Sequence, residues 1–344
     1  MSGTPAFSAV IPLRDGLPDV LEAVASALGQ SCPPDEVILV DDGSTDGGAD
    51  AVERRFGAGT EATRLTVLRG RFGGAAAARN AGWRVATRPW VALLDADDLW
   101  FRDKLETAAR TLSAATEAAW FFSDGAFRTI DGVTRASWFE DYADVHEPYV
   151  GQPVAELLEV NFILTSSVVV RRDALEQLGG FDPSLSHAED LDLWIRLARR
   201  WPATASRRAL VRYQHRAGGL TRQIETRLMG DVTLFHRLAS DPELDPRWRT
   251  LARAREARCR FRLAMTALRD GRRAQARVHL REAWRFPDRA LPVCSAWVAS
   301  LVPAGWLARL RGRRWATQVA APMGRARRVV LRGTPLPAAV GRRT

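Results

Sequence analysis

Along the first 125 residues, short apolar runs rich in β-branched side chains alternate with amphipathic stretches. Phe7–Pro12, Glu36–Val40, Leu65–Leu68, Val91–Leu94 and Ala119–Ser123 read as strands. Between them, Leu17–Leu28, Asp46–Phe56, Ala75–Val85 and Arg102–Leu112 have the spacing of helices. The strands are apolar on both faces, as strands buried between two helical layers are. This alternation predicts βαβ units, a mostly parallel sheet and right-handed crossovers. In such sheets ligands bind beyond the carboxyl ends of the strands, so chemistry is expected there.

Residues 126–164 are less regular, with Trp138, Phe139, Tyr142 and Tyr149 scattered among acids, which suits a substrate-facing excursion. Thr165–Val170 is again strand-like, Glu189–Arg199 reads as a helix with acids in its first turn, and Ala209–Tyr213 as a final strand. Beyond Gly219 the strand pattern stops. Residues 247–286 read as a helical hairpin of tetratricopeptide type, turning at Asp270-Gly271 and halted by Pro287. A single pair cannot bury its own face, so it is expected to pack on the preceding domain. Two domains are predicted, 1–220 and a basic helical region 221–344.

Charge separates these regions further. The 344-residue chain carries a net +10, yet residues 1–220 hold 23 basic and 31 acidic side chains, while 221–344 hold 27 and 9. Every basic residue except Lys104 is arginine. The high apolar content excludes disorder, and no tripeptide repeat is present. Cys32, Cys259 and Cys294 lie far apart with no zinc spacing, and the sparse count fits a reducing compartment. The first residues lack the basic and apolar regions of a secretory signal.

The strongest chemical signal is acidic and falls at predicted strand ends. EVILV runs into DDGSTDGG (Asp41, Asp42, Gly43, Ser44, Thr45, Asp46), and WVALL into DADD (Asp95, Ala96, Asp97, Asp98). Oxygen-only ligands in an Asp-x-Asp step suit a hard divalent ion, and Mg²⁺ is usually held by one or two carboxylates plus substrate phosphates. The same aspartates also suit turns and helix caps, above all Asp46 and Asp98. No GxGxxG follows a strand and no GxxxxGK[ST] occurs, which disfavours a Rossmann dehydrogenase or a P-loop NTPase. RFGGAAAARNAG, from Arg71 to Gly82, reads either as a small-residue helix packing closely on the sheet or as a device bringing Arg79 to a diphosphate.

Taken in order and spacing, VIPLRDG, DDGSTDGG, GGAAAARNAG, DADD and the Glu189-Asp190 pair followed by Trp194 resemble inverting glycosyltransferases of family 2, over roughly residues 5–220. The resemblance implies a GT-A fold and transfer of a sugar from a nucleotide-diphosphate donor to a hydroxyl of a glycan or lipid-linked acceptor, in cell-envelope or surface polysaccharide synthesis. It implies Mg²⁺ or Mn²⁺ as cofactor. Residue by residue, it puts Pro12 beside the base, Asp42 on base or ribose, Arg79 near the diphosphate and Asp95 on the ribose or metal shell. Asp97 would ligate the metal, with His215 completing the metal or diphosphate shell, and Asp190 would be the general base. His187 would line the acceptor site, and Trp194 reads as core. One departure is local: Leu13, Arg14 and Asp15 follow Pro12 where relatives often carry an aromatic residue and Asn. A non-catalytic sugar-nucleotide or membrane-docking module that kept the fold is the competing reading, which the intact DADD and Glu189-Asp190 disfavour.

The arginine-rich tail reads as a solvated face or as a surface attracted to anionic lipid. No nucleic-acid motif accompanies the charge, so nucleic acid is not an expected partner. Ala290–Ala308 is uncharged and is followed by Arg309, Arg311, Arg313 and Arg314. Its prolines, serines and two tryptophans suit a segment over about 290–314 lying on a membrane better than one crossing it, with a buried helical cap as the other reading. The expected location is cytoplasmic, peripheral on the inner face of the cell membrane.

Overall fold

A computed structural model describes residues 5–128, 134–214, 224–284 and 328–333. Its first half follows the apolar runs. Strand β1 (Phe7–Leu13) leads through α1 (Asp19–Leu28) to β2 (Glu36–Asp41), then through α2 (Gly48–Phe56) to β3 (Arg64–Arg69). From there α3 (Ala75–Val85) returns the chain to β4 (Trp90–Leu93). These four strands are parallel in the order β3-β2-β1-β4. Every residue of β2 and six of the seven in β1 are buried, because helices cover both faces. The chain winds outward from β1 to β3 and then crosses back to β4, so the ends of β1 and β4 flank a switch point. Close approach of α3 to the sheet depends on Gly82, where a Cβ would lie 2.4 Å from Val10 and 3.0 Å from Val40.

Beyond β4 come the two-residue β5 (Leu99–Trp100), α4 (Lys104–Ala114) and β6 (Trp120–Arg128). The excursion folds into β7 (Thr134–Arg135), α5 (Phe139–Tyr142), β8 (Ala143–His146), β9 (Tyr149–Gly151) and α6 (Val154–Glu159). A 3₁₀ turn, Thr165–Ser167, precedes β10 (Val169–Arg171), α7 (Arg172–Leu178), α8 (Glu189–Arg200) and β11 (Ala203–Gln214). The sheet continues β4-β10-β6-β11-β5, with β10 antiparallel to both neighbours and β11 parallel to β6. The mostly parallel α/β architecture expected of the sequence is the one observed. β11 is longer than the pattern predicted, because the exposed Arg207 and Arg208 sit at a register shift between Ser206 and Ala209 that breaks the apolar run.

A separate helical unit comprises α9 (Ile224–Ser240), α10 (Pro246–Arg269) and α11 (Arg273–Ala283). Asp245 caps α10 by accepting the Arg247 N–H, with Pro246 in the first turn. The predicted hairpin is present, but α9, which the pattern left out, supplies its cover. Leu228 and Val232 of α9 pack on Cys259 and Leu263, while Phe261 and Ala264 meet Ala276 and Leu280. The helical reading of 221–344 needs one correction: β12 (Val329–Arg332) is a strand, paired in parallel with β8 and belonging to the first unit. No helix among the described residues is long and apolar enough to cross a membrane. The 290–314 segment lies outside the described residues.

Candidate active site

Three acidic segments define the site. At the end of β2, the Asp42 N–H donates to the Leu13 carbonyl, carrying the β1–β2 ladder one residue further. Its carboxylate, 3% exposed, accepts the backbone N–H groups of Phe72, of Gly73 at 2.9 Å and of Gly74 at 2.7 Å. Gly73 and Gly74 have φ of 92° and 125°, a conformation that requires glycine. Burial opposes ionisation of Asp42, yet these three N–H groups and Arg14, 3.6 Å away, hold its carboxyl below the ordinary range. Asp42 therefore spends its oxygens on the loop that delivers α3.

Neighbouring loops lock together around it. Asp15 accepts the Thr45 N–H at 2.7 Å, and Asp46 accepts the Leu17 N–H at 2.7 Å and its own loop's Gly48 N–H at 2.9 Å. The Arg14-Asp15 step that departs from the usual pattern is thus the partner of the DGSTD turn. Pro12 lies opposite Val40 and past the residues of β1 that pair with β4, where a missing N–H costs no ladder bond.

The DADD segment begins just beyond β4. Its Asp95 N–H donates to Ser166 Oγ at 3.0 Å, and Ser166 Oγ donates in turn to Asp98 Oδ2 at 2.5 Å. Asp98 Oδ1 accepts the Gln214 N–H at 3.2 Å, at the last residue of β11. Asp98 is 2% exposed, and burial followed by the charges of Asp95 and Asp97 pushes its carboxyl well above the ordinary range. Its carboxylate is held internally, between the Thr165–Ser167 turn and the end of β11. Asp95 and Asp97 are only partly buried.

Arg79 joins this segment to the third. From α3 its guanidinium donates to Asp95 Oδ1 at 2.6 Å and to Glu189 Oε1 at 3.0 Å. The side chain is 7% exposed, and its charge centre lies 5.4 Å from the Phe181 ring. Burial disfavours its charge, but Asp95 and Glu189 outweigh burial and raise its pKa. Asn80, next along α3, holds both the N–H and the carbonyl of Phe181, at 2.9 and 2.8 Å. The ARN step is thus a clamp between Asp95 of the DADD segment and the chain leading into α8.

At the start of α8, Ala188 adopts φ 64° and turns the chain so that Glu189 and Asp190 open the helix. Asp190 Oδ1 accepts the Leu191 N–H at 2.6 Å, while Asn161 Nδ2 and Thr165 Oγ lie 3.4 and 3.3 Å from Oδ2. Burial, then the Glu189 charge, raises its pKa to about 6, against the opposing pull of the Leu191 N–H and Arg79. His187, two residues before the helix, is buried. Trp194 is fully buried and stacked on Trp120 at 6.1 Å, a core residue as read.

The fold therefore gathers Arg79, Asp95 and Glu189-Asp190, with Asp42 one loop away. His215 lies outside the described residues. Sequence reading missed Asn161, Thr165 and Ser166, an Asn and part of a Thr-Ser-Ser run between apolar residues with no motif to mark them. No group of three His, Cys, Asp or Glu among the described residues forms a metal cage. The partly exposed carboxylates of Asp95 and Asp97 still fit a hard divalent ion whose shell donor phosphates complete. A hollow of about 250 Å³ lies apart from these acids, lined by residues including Asp124, Ser137, Glu140 and Arg207.

Comparison with known proteins adds an independent line. The model of the family described as glycosyl transferase family 2 matches residues 8–179. The putative teichuronic acid biosynthesis glycosyltransferase TuaG of Bacillus subtilis is 38% identical over 102 residues, 30% of this chain and 40% of TuaG. The pre-mycofactocin glycosyltransferase of Mycobacterium tuberculosis is 31% identical over 192 residues, 55% of this chain and 38% of that protein. The chain thus spans well under half the length of these curated relatives. Among solved structures, Staphylococcus aureus TarS 1–349 in complex with UDP-GlcNAc aligns at a TM-score of 0.60 and 18% identity, covering 86% of this chain and 88% of that one. The Pyrobaculum calidifontis mannosyltransferase PcManGT, in complex with GDP-Man and Mn²⁺, aligns at 0.57 and 21%, covering 92% and 88%. At those identities the likeness concerns the fold.

Proposed function

Since the chain belongs to glycosyl transferase family 2, we propose that it is a metal-dependent inverting transferase that moves a hexosyl group from a nucleotide-diphosphate sugar to a hydroxyl of a glycan or lipid-linked acceptor. The observation that carries this reading is the buried Arg79, clamped between Asp95 of DADD and Glu189 beside Asp190. It joins an acid pair suited to a donor's cation with a carboxylate suited to an acceptor's proton.

Direct displacement needs one base. Asp190 takes the acceptor O–H proton as the acceptor oxygen bonds to the anomeric carbon and the carbon–phosphate oxygen bond breaks, releasing nucleoside diphosphate. With a pKa near 6, Asp190 is ionised at neutral pH yet basic enough to accept that proton. Leu191 N–H, Asn161 and Thr165 hold it in one orientation. Asp97, with Asp95 beside it and His215 as a further ligand, would hold Mg²⁺ or Mn²⁺. A cation there supplies Lewis-acid stabilisation of the leaving diphosphate. Pro12 and the Asp42 loop border the nucleoside. That PcManGT is in complex with GDP-Man and Mn²⁺ and TarS 1–349 with UDP-GlcNAc supports this assignment of donor class and metal.

The helical unit works against an anionic membrane surface on the cytoplasmic side, in envelope polysaccharide synthesis. Supporting this, α11 and the residue after it expose Val278 (63%) and Trp284 (51%) among Arg273, Arg277 and Arg281. TuaG's name, with teichuronic acid in it, is in keeping with an envelope role.

The test is incubation with Mn²⁺ and a panel of nucleotide-sugars, following nucleoside diphosphate release. Release that is metal-dependent and abolished by Asp97→Ala and Asp190→Asn is expected. Release surviving both substitutions overturns the roles of metal ligand and general base, and a chain that binds no donor overturns the transferase reading.

A further inference from the structure

The excursion between β6 and β10, with Phe122 of β6 and Tyr213 of β11, sorts its aromatic residues into two groups. Phe122, Phe139, Tyr149 and Phe162 are buried and pack edge to face, with Phe122 at the centre. Trp138, Tyr142 and Tyr213 form a second cluster that is only partly buried. Trp138 stacks on Tyr142 with ring centroids 4.3 Å apart and planes 28° from parallel, and meets Tyr213 at 6.1 Å. Part of each ring's surface thus stays in water, where it is open to a further contact.

The cluster is nevertheless firmly built. The buried Asp124 accepts the backbone N–H groups of Gly125 at 2.7 Å, Trp138 at 2.8 Å and Phe139 at 2.9 Å, and the Ser137 hydroxyl. The Trp138 indole N–H donates to the Phe162 carbonyl at 3.0 Å. Two links lead straight to the acid cluster. Phe162 follows Asn161, whose amide lies beside Asp190, and Tyr213 precedes Gln214, whose N–H bonds Asp98. A firmly held, partly exposed aromatic cluster is thus tied through Phe162-Asn161 to the carboxylate proposed to receive the acceptor's proton.

We infer that Trp138, Tyr142 and Tyr213 form a stacking platform for a pyranose ring of the acceptor. A pyranose has one apolar C–H face and a polar rim. The electron-rich ring faces match the first, and polar groups such as the amide of Asn161, one residue from the Phe162 carbonyl that holds Trp138, match the second. Identification of the occupant as the acceptor rests on the transferase reading above; the affinity for a pyranose does not.

The experiment uses the full chain and methyl pyranosides of glucose, galactose, mannose and N-acetylglucosamine as probes, followed by saturation-transfer NMR. At least one probe is expected to bind through the C–H protons of one ring face. Trp138→Leu and Tyr142→Leu are each expected to weaken it by about fivefold or more, with Trp138→Phe recovering most of the loss. Binding of UDP or GDP by each variant checks that the donor half is intact, and Tyr142, on the short helix α5, guards against loss of fold at Trp138. The inference is overturned if no pyranoside binds the wild-type chain, or if binding persists in both leucine variants. A chain that binds pyranosides as described but releases no nucleoside diphosphate keeps the platform and loses the transferase. Release of nucleoside diphosphate without the platform behaviour does the reverse.

Discussion

The two units of this chain use charge in opposite ways. In the α/β unit, the charged groups buried at the candidate site are each held by several partners: Asp42 by three backbone N–H groups, Arg79 by Asp95 and Glu189, Asp98 by Ser166 and Gln214. In the helical unit the described arginines stay partly or fully in water, and their pairs run from Arg260 with Glu256 one turn away to Arg272 with Glu225, which ties the start of α11 to α9. Buried charge demands partners because removing one leaves the other uncompensated. Exposed charge costs little and contributes little to folding. The first arrangement sets geometry for chemistry, and the second sets a surface potential. Each can be broken separately.

The largest effect is expected at Asp190. Asp190→Asn keeps the shape but removes the carboxylate proposed as base, and should lower nucleoside diphosphate release by about 10²–10⁴-fold. The wild-type rate should rise with pH through an apparent pKa of about 6 and then level, because Asp190 must be ionised to act. A profile flat between pH 5 and 8 would contradict the role. Glu189, Arg79, Asn161 and Thr165 all face this carboxylate, so the midpoint reports on the cluster as well as on one residue.

Arg79→Ala comes next. It leaves Asp95 and Glu189 without their shared cation in a site where the arginine is 7% exposed, and should cost about 3–5 kcal/mol in urea unfolding. It should also move the acid limb of the rate profile to higher pH, since Arg79 holds the Asp190 pKa down. Arg79→Lys keeps the charge but lacks the fork that reaches both carboxylates, so it should recover only part of the loss.

Neither partner of Arg79 was legible in the sequence. They lie 16 and 110 residues away, and only the folded sheet end brings them together. What periodicity does record is local. Continuous apolar runs marked β1, β2 and β4, and the small-residue run Ala75–Val85 coincides with α3. Helix α9 went unread although Leu228, Val232 and Phe235 repeat at helical spacing, because the preceding glycines signal a break rather than a start. Motif order located the acids but not their division of labour: Asp42 and Asp98 turn inward, while Asp95 and Asp97 stay partly open, a distinction decided by Ser166 and the Gly73-Gly74 loop.

A smaller effect concerns the only lysine. Lys104, at the start of α4, is fully buried, its Nζ lies 4.3 Å from the Trp100 ring centre, and it has no hydrogen-bond partner among the described residues. Burial lowers its pKa to about 7. A folded pKa below the unfolded value means that stability is lost as pH falls from the ordinary lysine range towards 7. Between those limits the unfolded chain holds one more proton, so stability should rise with pH by about 1.4 kcal/mol per unit from this group. Lys104→Met should remove that slope and stabilise the protein at neutral pH by roughly 1–3 kcal/mol. Urea midpoints of both proteins at pH 7 and 9 test this, and equal slopes would show that Lys104 is charged when folded.

The smallest expected change in stability belongs to the helical unit, where it sharpens the contrast. Arg277→Ala with Arg281→Ala on α11 should shift unfolding by no more than about 1 kcal/mol, since Arg281 is exposed and Arg277 only half-buried, and ion pairs open to water contribute little to folding. The same pair should weaken sedimentation with vesicles containing anionic phosphatidylserine, by about 1 kcal/mol for each arginine near the surface. That loss should shrink as salt rises, whereas the Arg79→Ala cost should hardly change, because screening reaches exposed charges and not buried pairs. Vesicle binding that is indifferent to salt and to both arginines would mean that α11 faces something other than an anionic lipid surface. Val278 and Trp284 would then have to be explained by a protein partner.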